Sequence, residues 1–355
     1  MLEVFCEGTS YGIGLQHGEQ ARPQIAGSLA FYSNLFAQKC SMDWPAVCTA
    51  AAKFVPFLET SFPEYMQEMR GVAQGADVPV ESILALNVRT EIAYGMFSDG
   101  CTALSWKEGG KSFIAQNWDW DREQSPNLLS LHIRQSTPPG HPPKPAIHML
   151  TEAGLIGKIG LNSAGVGVTL NAIKAHGVNF FKLPTHLALR AVLDSSSAAE
   201  AVEKVEKYGV AAACHILVAD AQAGGVGLEC SAGDVVGIRM GEEEGDAEGV
   251  ITHSNHFIRE HEGLKAGETR LYLPDSVERL GRIRELVRQK GKASVEGIEE
   301  ILRDEKGYPT SICREVTEKE SMATLFSVVM DLGAGRGYVR VGRPVKPEGI
   351  LGLKP

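Results

Sequence analysis

The stretch Ser98-Asp99-Gly100-Cys101-Thr102-Ala103-Leu104-Ser105-Trp106 sets a thiol directly after a glycine and at the head of a run that reads as a β-strand. A nucleophilic cysteine needs a thiolate and a base within reach. Inside a chain it borrows that base, usually a histidine. At a chain terminus the free α-amine, with an ordinary pKa of about 8, can serve instead. Gly100 supplies the backbone freedom that a strained scissile bond requires. The Cys101 thiol could attack the Gly100 carbonyl, shift the peptide to a thioester, and let water release a new terminus. Gly100–Cys101 is therefore read as a self-cleavage site and Cys101 as an N-terminal nucleophile. The same pair also suits a small, buried structural cysteine.

Other chemistry-bearing residues sit at predicted strand ends. Asn117-Trp118-Asp119-Trp120-Asp121 offers Asp119 as a carboxylate that holds a terminal ammonium or orients a base, or else as a turn residue. In His253-Ser254-Asn255-His256, the two histidines could begin a metal site, but no third ligand is evident. The alternative role there is Asn255 as an oxyanion donor. Arg314, after Tyr308-Pro309, could grip a substrate carboxylate bidentately or form a salt bridge. Ser231, after Glu229-Cys230, reads as a pocket hydroxyl or a turn residue. No GxSxG elbow of a serine hydrolase occurs.

The elements that position these residues divide at Cys101. Before it the pattern is a short strand at 2–6, then helices at 21–39, 43–60, 62–76 and from Pro79 through Glu91, with Ser61 expected to cap the helix at 62–76. Gly12, Gly14 and Gly18 do not match GxGxxG and are read as close helix packing. After Cys101, period-two strands are expected at 101–106, 112–117, 128–135, 146–150, 157–162 and 166–171. Helices at 185–194 and 197–208 follow, then strands at 214–219, 226–230, 234–239 and 250–254. The acidic run Gly241–Gly249 reads as a solvated loop. The basic helix at 275–290, with Arg279, Arg282, Arg284 and Arg288, reads as a solvated face. Strands at 323–331 and 336–341 close the chain. The pattern suits a single α+β domain of two stacked sheets covered by helices.

Composition narrows the function. Acidic residues outnumber basic ones by 44 to 35, which argues against a nucleic-acid binder. The seven cysteines form no CxxC pair, so a zinc ribbon or thioredoxin-like motif is not indicated and a reducing compartment is. The start Met1-Leu2-Glu3-Val4-Phe5-Cys6-Glu7 lacks a secretory pattern, and no segment reaches the roughly 18 apolar residues of a membrane span. A cytoplasmic enzyme with a small-molecule substrate, no metal and no cofactor is the expectation.

Six stretches in order carry a family resemblance. They are Arg89-Thr90-Glu91-Ile92-Ala93-Tyr94-Gly95, Asp99-Gly100-Cys101-Thr102, Gln116-Asn117-Trp118-Asp119, Thr151-Glu152-Ala153-Gly154-Leu155-Ile156-Gly157-Lys158, Thr252-His253-Ser254-Asn255-His256 and Tyr308-Pro309-Thr310-Ser311-Ile312-Cys313-Arg314. In these the sequence resembles the acyl-coenzyme A:6-aminopenicillanic acid acyltransferases among the N-terminal-nucleophile hydrolases. The resemblance implies a four-layer αββα sandwich of two antiparallel sheets, made as one precursor over 1–355. Cleavage would leave an α chain, 1–100, associated with a β chain, 101–355. It implies an acyl-Cys101 intermediate, with an acyl-CoA as a substrate rather than a cofactor. It also implies Asn255 in the oxyanion hole, Asp119 and Arg314 supporting the terminal amine and pocket, and Ser231 lining the site. Two departures stand out. Ala103 replaces the threonine of the penicillin enzymes, and Leu353-Lys354-Pro355 is not their peroxisomal tail. They leave open an amidohydrolase paralogue with water as the acceptor.

Overall fold

The computed structural model describes residues 1–93, 100–137, 140, 142–264, 269, 273–318 and 320–355. Tyr94, Gly95, Ser98 and Asp99, which belong to the quoted motifs, lie outside them.

Period-two alternation builds two sheets that pack on each other. The smaller has six strands in the order β11-β2-β3-β12-β13-β14. Its centre is β2 (Gly100–Glu108), β3 (Lys111–Asp121) and β12 (Met322–Asp331), with β11 (Val250–His253) on one edge and β13 (Arg336–Val341) and β14 (Gly349–Leu353) on the other. The larger sheet runs β1-β4-β5-β6-β7-β8-β9-β10. Its strands are β1 (Leu2–Gly8), β4 (Leu128–Gln135), β5 (Ile147–Glu152), β6 (Ile159–Asn162), β7 (Val166–Ala172), β8 (Cys214–Asp220), β9 (Gly224–Cys230) and β10 (Val235–Arg239).

Most described residues of β2 and β3 are buried on both faces, and the alternation sorts them into two cores. Cys101, Ala103, Ile114 and Trp118 join the core between the sheets. Leu104, Trp106, Phe113 and Ala115 join a second core under α10 (Asp275–Lys290) and α11 (Val295–Leu302). Helices α8 (Thr185–Leu193) and α9 (Ala198–Tyr208) cover the outside of the larger sheet. They are joined there by an N-terminal helical layer: α1 (Ser10–Gln20), α2 (Arg22–Cys40), α3 (Trp44–Ala51), α4 (Val55–Ser61), α5 (Pro63–Ala76), α6 (Val80–Asn87) and α7 (Arg89–Ile92). This is the expected αββα order of layers.

The glycines of α1 serve helix packing, as their spacing suggests. A Cβ on Gly14 or Gly18 would run into the backbone of α5 at Glu68 and Val72, and one on Gly71 or Gly75 into the backbone of α1. The two helices therefore touch main chain to main chain.

Several expectations need correction. The larger sheet is not wholly antiparallel: β1 pairs parallel with β4, Leu2 opposite Leu129 through Gly8 opposite Gln135. Ser61 ends α4 and does not cap α5, whose N-cap is Phe62, without a side-chain bond. The stretch 43–60 breaks at a 3-10 turn, Ala52–Phe54. Helix α11 and strand β14 have no counterpart in the sequence reading. The Gly241–Gly249 loop is not merely solvated, because the buried Asp246 carboxylate accepts from Thr252 and pairs with Arg284. Among the described residues no helix is long and apolar enough to cross a membrane.

Candidate active site

Cys101 is the second residue of β2 and fully buried. Its cross-strand partner is Trp118, and both side chains belong to the core between the sheets. The neighbouring positions fall on the opposite face. There Gly100 pairs with Asp119 and Thr102 with Asn117. Asn117 Nδ2 on that face donates to the carbonyls of Leu302 and Ile312.

The Cys101 nitrogen donates to Asn255 Oδ1 at 2.7 Å. Asn255 follows edge strand β11, which pairs with β2 and so delivers the loop to the start of that strand. Its amide orientation is fixed from both ends. Oδ1 also accepts from Arg279 Nη2 at 2.8 Å, and Nδ2 donates to the Ala172 carbonyl at the end of β7 at 2.9 Å. A side-chain amide carries two N–H donors, and the Ala172 carbonyl takes one of them.

Asp119 and Arg314 meet on the helix face of the smaller sheet. Asp119 Oδ1 accepts from Thr324 Oγ1 at 2.7 Å, and Oδ2 lies 3.5 Å from Arg314 Nε. Arg314 also pairs with Asp275 and, at 3.4 Å, with Glu320. Asp275 in turn accepts from Arg279 Nε at 2.8 Å. Burial pushes the Asp119 carboxyl up to about 6, against the pull of Arg314 and Arg279. Arg314 thus stands among three carboxylates, which leaves its expected bidentate grip on a substrate acid without support in this geometry.

Arg279 is the site residue that the sequence reading missed. The run of arginines on α10 predicts a solvated face for it, yet it is 2% exposed. Its Nη1 donates to the Cys101 carbonyl at 2.6 Å and to Thr102 Oγ1 at 3.0 Å. The signal available was the spacing Asp275–Arg279, one turn apart on α10, with Leu280, Ile283 and Val287 marking the buried face beside it.

Ser231 lies in a turn. Its hydroxyl accepts from the backbone nitrogens of Gly233 and Asp234 and bonds the Asp234 carboxylate. His253 and His256 do not converge on a metal. His253 Nε2 bonds Glu229 Oε1 at 2.7 Å, and His256 Nδ1 bonds Ser276 Oγ at 2.7 Å. Glu229 also accepts from the nitrogens of Ile258 and Arg259. One strand of the larger sheet thereby ties down the loop that carries Asn255. Burial alone would raise the Glu229 carboxyl, but bonds from His253 and His261 hold it well below the usual range. Among the described residues, Glu3, His132 and His148 are close enough to share an ion. His148 has both ring nitrogens in use, with the Lys354 amide and Ser130 Oγ.

Ala172, whose carbonyl accepts from Asn255, also lines a cleft together with Arg89, Trp120, Lys158, Leu170 and Ile173. Its polar end is a buried network. Glu152 accepts from Lys158 Nζ at 2.6 Å and pairs with Arg89 and Tyr32. Lys158 also sits 3.7 Å over the ring of Trp118. Burial opposes ionisation of Glu152, but Arg89 and Lys158 bring its carboxyl down to about 2.

The sequence profile described as "AAT: acyl-coenzyme A:6-aminopenicillanic acid acyl-transferase" matches residues 106–346. The chain is 38% identical, over 98% of its length and 94% of the relative's, to the acyl-coenzyme A:6-aminopenicillanic-acid-acyltransferase 40 kDa form of Emericella nidulans. Among solved structures, a conjugated bile acid hydrolase variant from Clostridium perfringens aligns with TM-score 0.48 at 16% identity, over 72% of this chain and 92% of that one. The penicillin V acylase of Agrobacterium tumefaciens aligns with TM-score 0.47 at 14% identity, over 72% of this chain and 86% of that one.

Proposed function

The chain belongs to the acyl-coenzyme A:6-aminopenicillanic acid acyltransferase family, and from that premise we propose that Cys101 is its self-generated N-terminal nucleophile. In the precursor the Cys101 sulfur bonds the Gly100 carbonyl carbon, the Gly100–Cys101 C–N bond breaks, and the thiol proton passes to the Cys101 nitrogen. Water then splits the thioester, leaving a Gly100 carboxylate and a free Cys101 amine and thiol. The segments 1–100 and 101–355 stay together.

In turnover the Cys101 amine takes the thiol proton, and sulfur attacks the acyl carbonyl of an acyl-CoA or of the isopenicillin N side-chain amide. The leaving thiol or amine carries that proton away. The amine of 6-aminopenicillanic acid attacks the acyl-Cys101 thioester, and Cys101 regains a thiol. Asn255 Nδ2 stabilises the oxyanion, a contribution of about 3–4 kcal/mol where such donors have been removed. Asp119 and Arg314 brace the strand start from behind. The scattered cysteines suit a reducing compartment, and this reading sets the enzyme in the cytoplasm.

The observation that carries the reading is the 2.7 Å bond from Cys101 N to Asn255 Oδ1 directly after Gly100. It holds the nitrogen that must become the base. Intact-mass spectra of the wild type and of Cys101→Ala test it. Two fragments meeting at Gly100/Cys101 in the wild type alone are expected, followed by acyl transfer from phenylacetyl-CoA to 6-aminopenicillanic acid. A single full-length mass in both would overturn it.

A second reading rests on Ala103. This buried residue faces His253 across β2 and β11 and carries no hydroxyl where the penicillin enzymes have one. An amidohydrolase with water as acceptor would release free acid from the same amides and form no penicillin.

A further inference from the structure

We infer that Arg279 is a positioning residue that aims the Asn255 amide and the Cys101 main chain at each other. The inference rests on the reading of Cys101 as the nucleophile and adds a part to that machinery.

Three observations carry it. The Arg279 guanidinium spans the two partners, with Nη1 2.6 Å from the Cys101 carbonyl and Nη2 2.8 Å from Asn255 Oδ1. An unconstrained asparagine amide can turn end for end and would then offer N–H to Cys101 N, itself a donor in the uncut chain. The Arg279 cation beside Oδ1 forbids that turn, because a flipped amide would set donor against donor. Secondly, Arg279 is itself held. Asp275 accepts from its Nε at 2.8 Å one turn back on α10, and Thr102 Oγ1 accepts from Nη1 at 3.0 Å. A planar fork fixed on both edges transmits position, which a lysine ammonium on a flexible stem does not. Thirdly, it is buried beneath the strand start on the face opposite the thiol, where Thr102 lies, so beyond Asp275 its hydrogen bonds go to Asn255 and to Cys101 and Thr102 of β2.

The role outlasts the cut. Cleavage changes the Cys101 nitrogen from amide to amine, while the Cys101 carbonyl, Thr102 and Asn255 keep their places, so one guanidinium serves maturation and turnover.

The test is a double-mutant cycle of Arg279→Met and Asn255→Ala on the full chain, read as the rate of precursor cleavage by intact mass. Arg279→Met alone should slow cleavage by about ten- to hundredfold, the scale of a misplaced reacting group. Added to Asn255→Ala it should slow cleavage no further, because its effect passes through that amide. On material that does mature, kcat should fall with KM nearly unchanged. Arg279→Lys keeps the charge and guards against a folding failure. It should fold and still cleave slowly, since it lacks the fork. Multiplicative effects in the cycle, or wild-type cleavage rates in Arg279→Met or Arg279→Lys, would overturn the inference while leaving Cys101 as nucleophile. A wild-type chain that never cleaves would overturn both.

Discussion

Gly100 and Asp119 face each other across β2 and β3, and a Cβ on Gly100 would lie 2.9 Å from Asp119 Oδ2 and 2.8 Å from Arg314 Nε. The glycine ahead of Cys101 is therefore demanded by space as well as by flexibility. The buried ion pair occupies the volume that a side chain would need.

Gly100→Ala should accordingly push the pair back or tilt the strand start. Overpacking of this kind costs about 1–3 kcal/mol, and the cleavage rate measured by intact mass should drop by about one to two orders of magnitude. Cleavage at the wild-type rate would show that the pair yields without moving the strand.

The Asp119 carboxyl supplies a pH dependence. Its native pKa is raised from 3.8 to about 6 by burial, so the folded protein binds this proton more tightly than the unfolded chain. Between those two values its contribution makes stability fall as pH rises. Above about 6 the penalty is complete and the slope disappears. Urea midpoints across pH 4 to 7 should show a smaller decline for Asp119→Asn than for the wild type.

Gly14→Ala should destabilise the protein by about 1–3 kcal/mol, because the α1 and α5 backbones would have to separate. Gly281→Ala provides the contrast. This glycine is exposed on α10 with nothing within 4 Å of its Cβ position, and the substitution should stabilise by about 0.4–1 kcal/mol. Denaturant melts of the two variants check both signs.

Glu229→Gln would turn an acceptor of several N–H groups into a mixed donor and acceptor. About 1–3 kcal/mol of stability should go with it. Hydrogen exchange should quicken at the Ile258 and Arg259 amides, which donate to this carboxylate. Protection unchanged at those two amides would mean that the Asn255 loop is held by other contacts.

The legible part of this protein was local. Strand alternation after Cys101 and the helical spacing before it lie in neighbouring residues. What stayed hidden depends on contacts between distant segments. The parallel pairing of β1 with β4 joins residues more than a hundred positions apart. Arg279 reads as one arginine among four on a basic helix, since its partners Cys101 and Asn255 come from other elements. Asp119 and Arg314 could be named from the family resemblance as supports of the terminal amine and pocket, but their pairing could not. That they sit on the face away from the Cys101 side chain follows only from the register of β2 against β3.

The parallel edge strand bears on how often this protein can fold. Residues 1–100 contribute β1, hydrogen-bonded along β4, and a helical layer over the larger sheet. While the chain is whole, that segment finds its place as part of one molecule. A cut ahead of Cys101 would leave it joined by contacts alone, so a denatured mature enzyme would regain activity with second-order, dilution-sensitive kinetics, whereas the uncut Cys101→Ala chain would recover independently of concentration. Maturation would then act as a ratchet, in which the covalent link guides assembly once and is discarded.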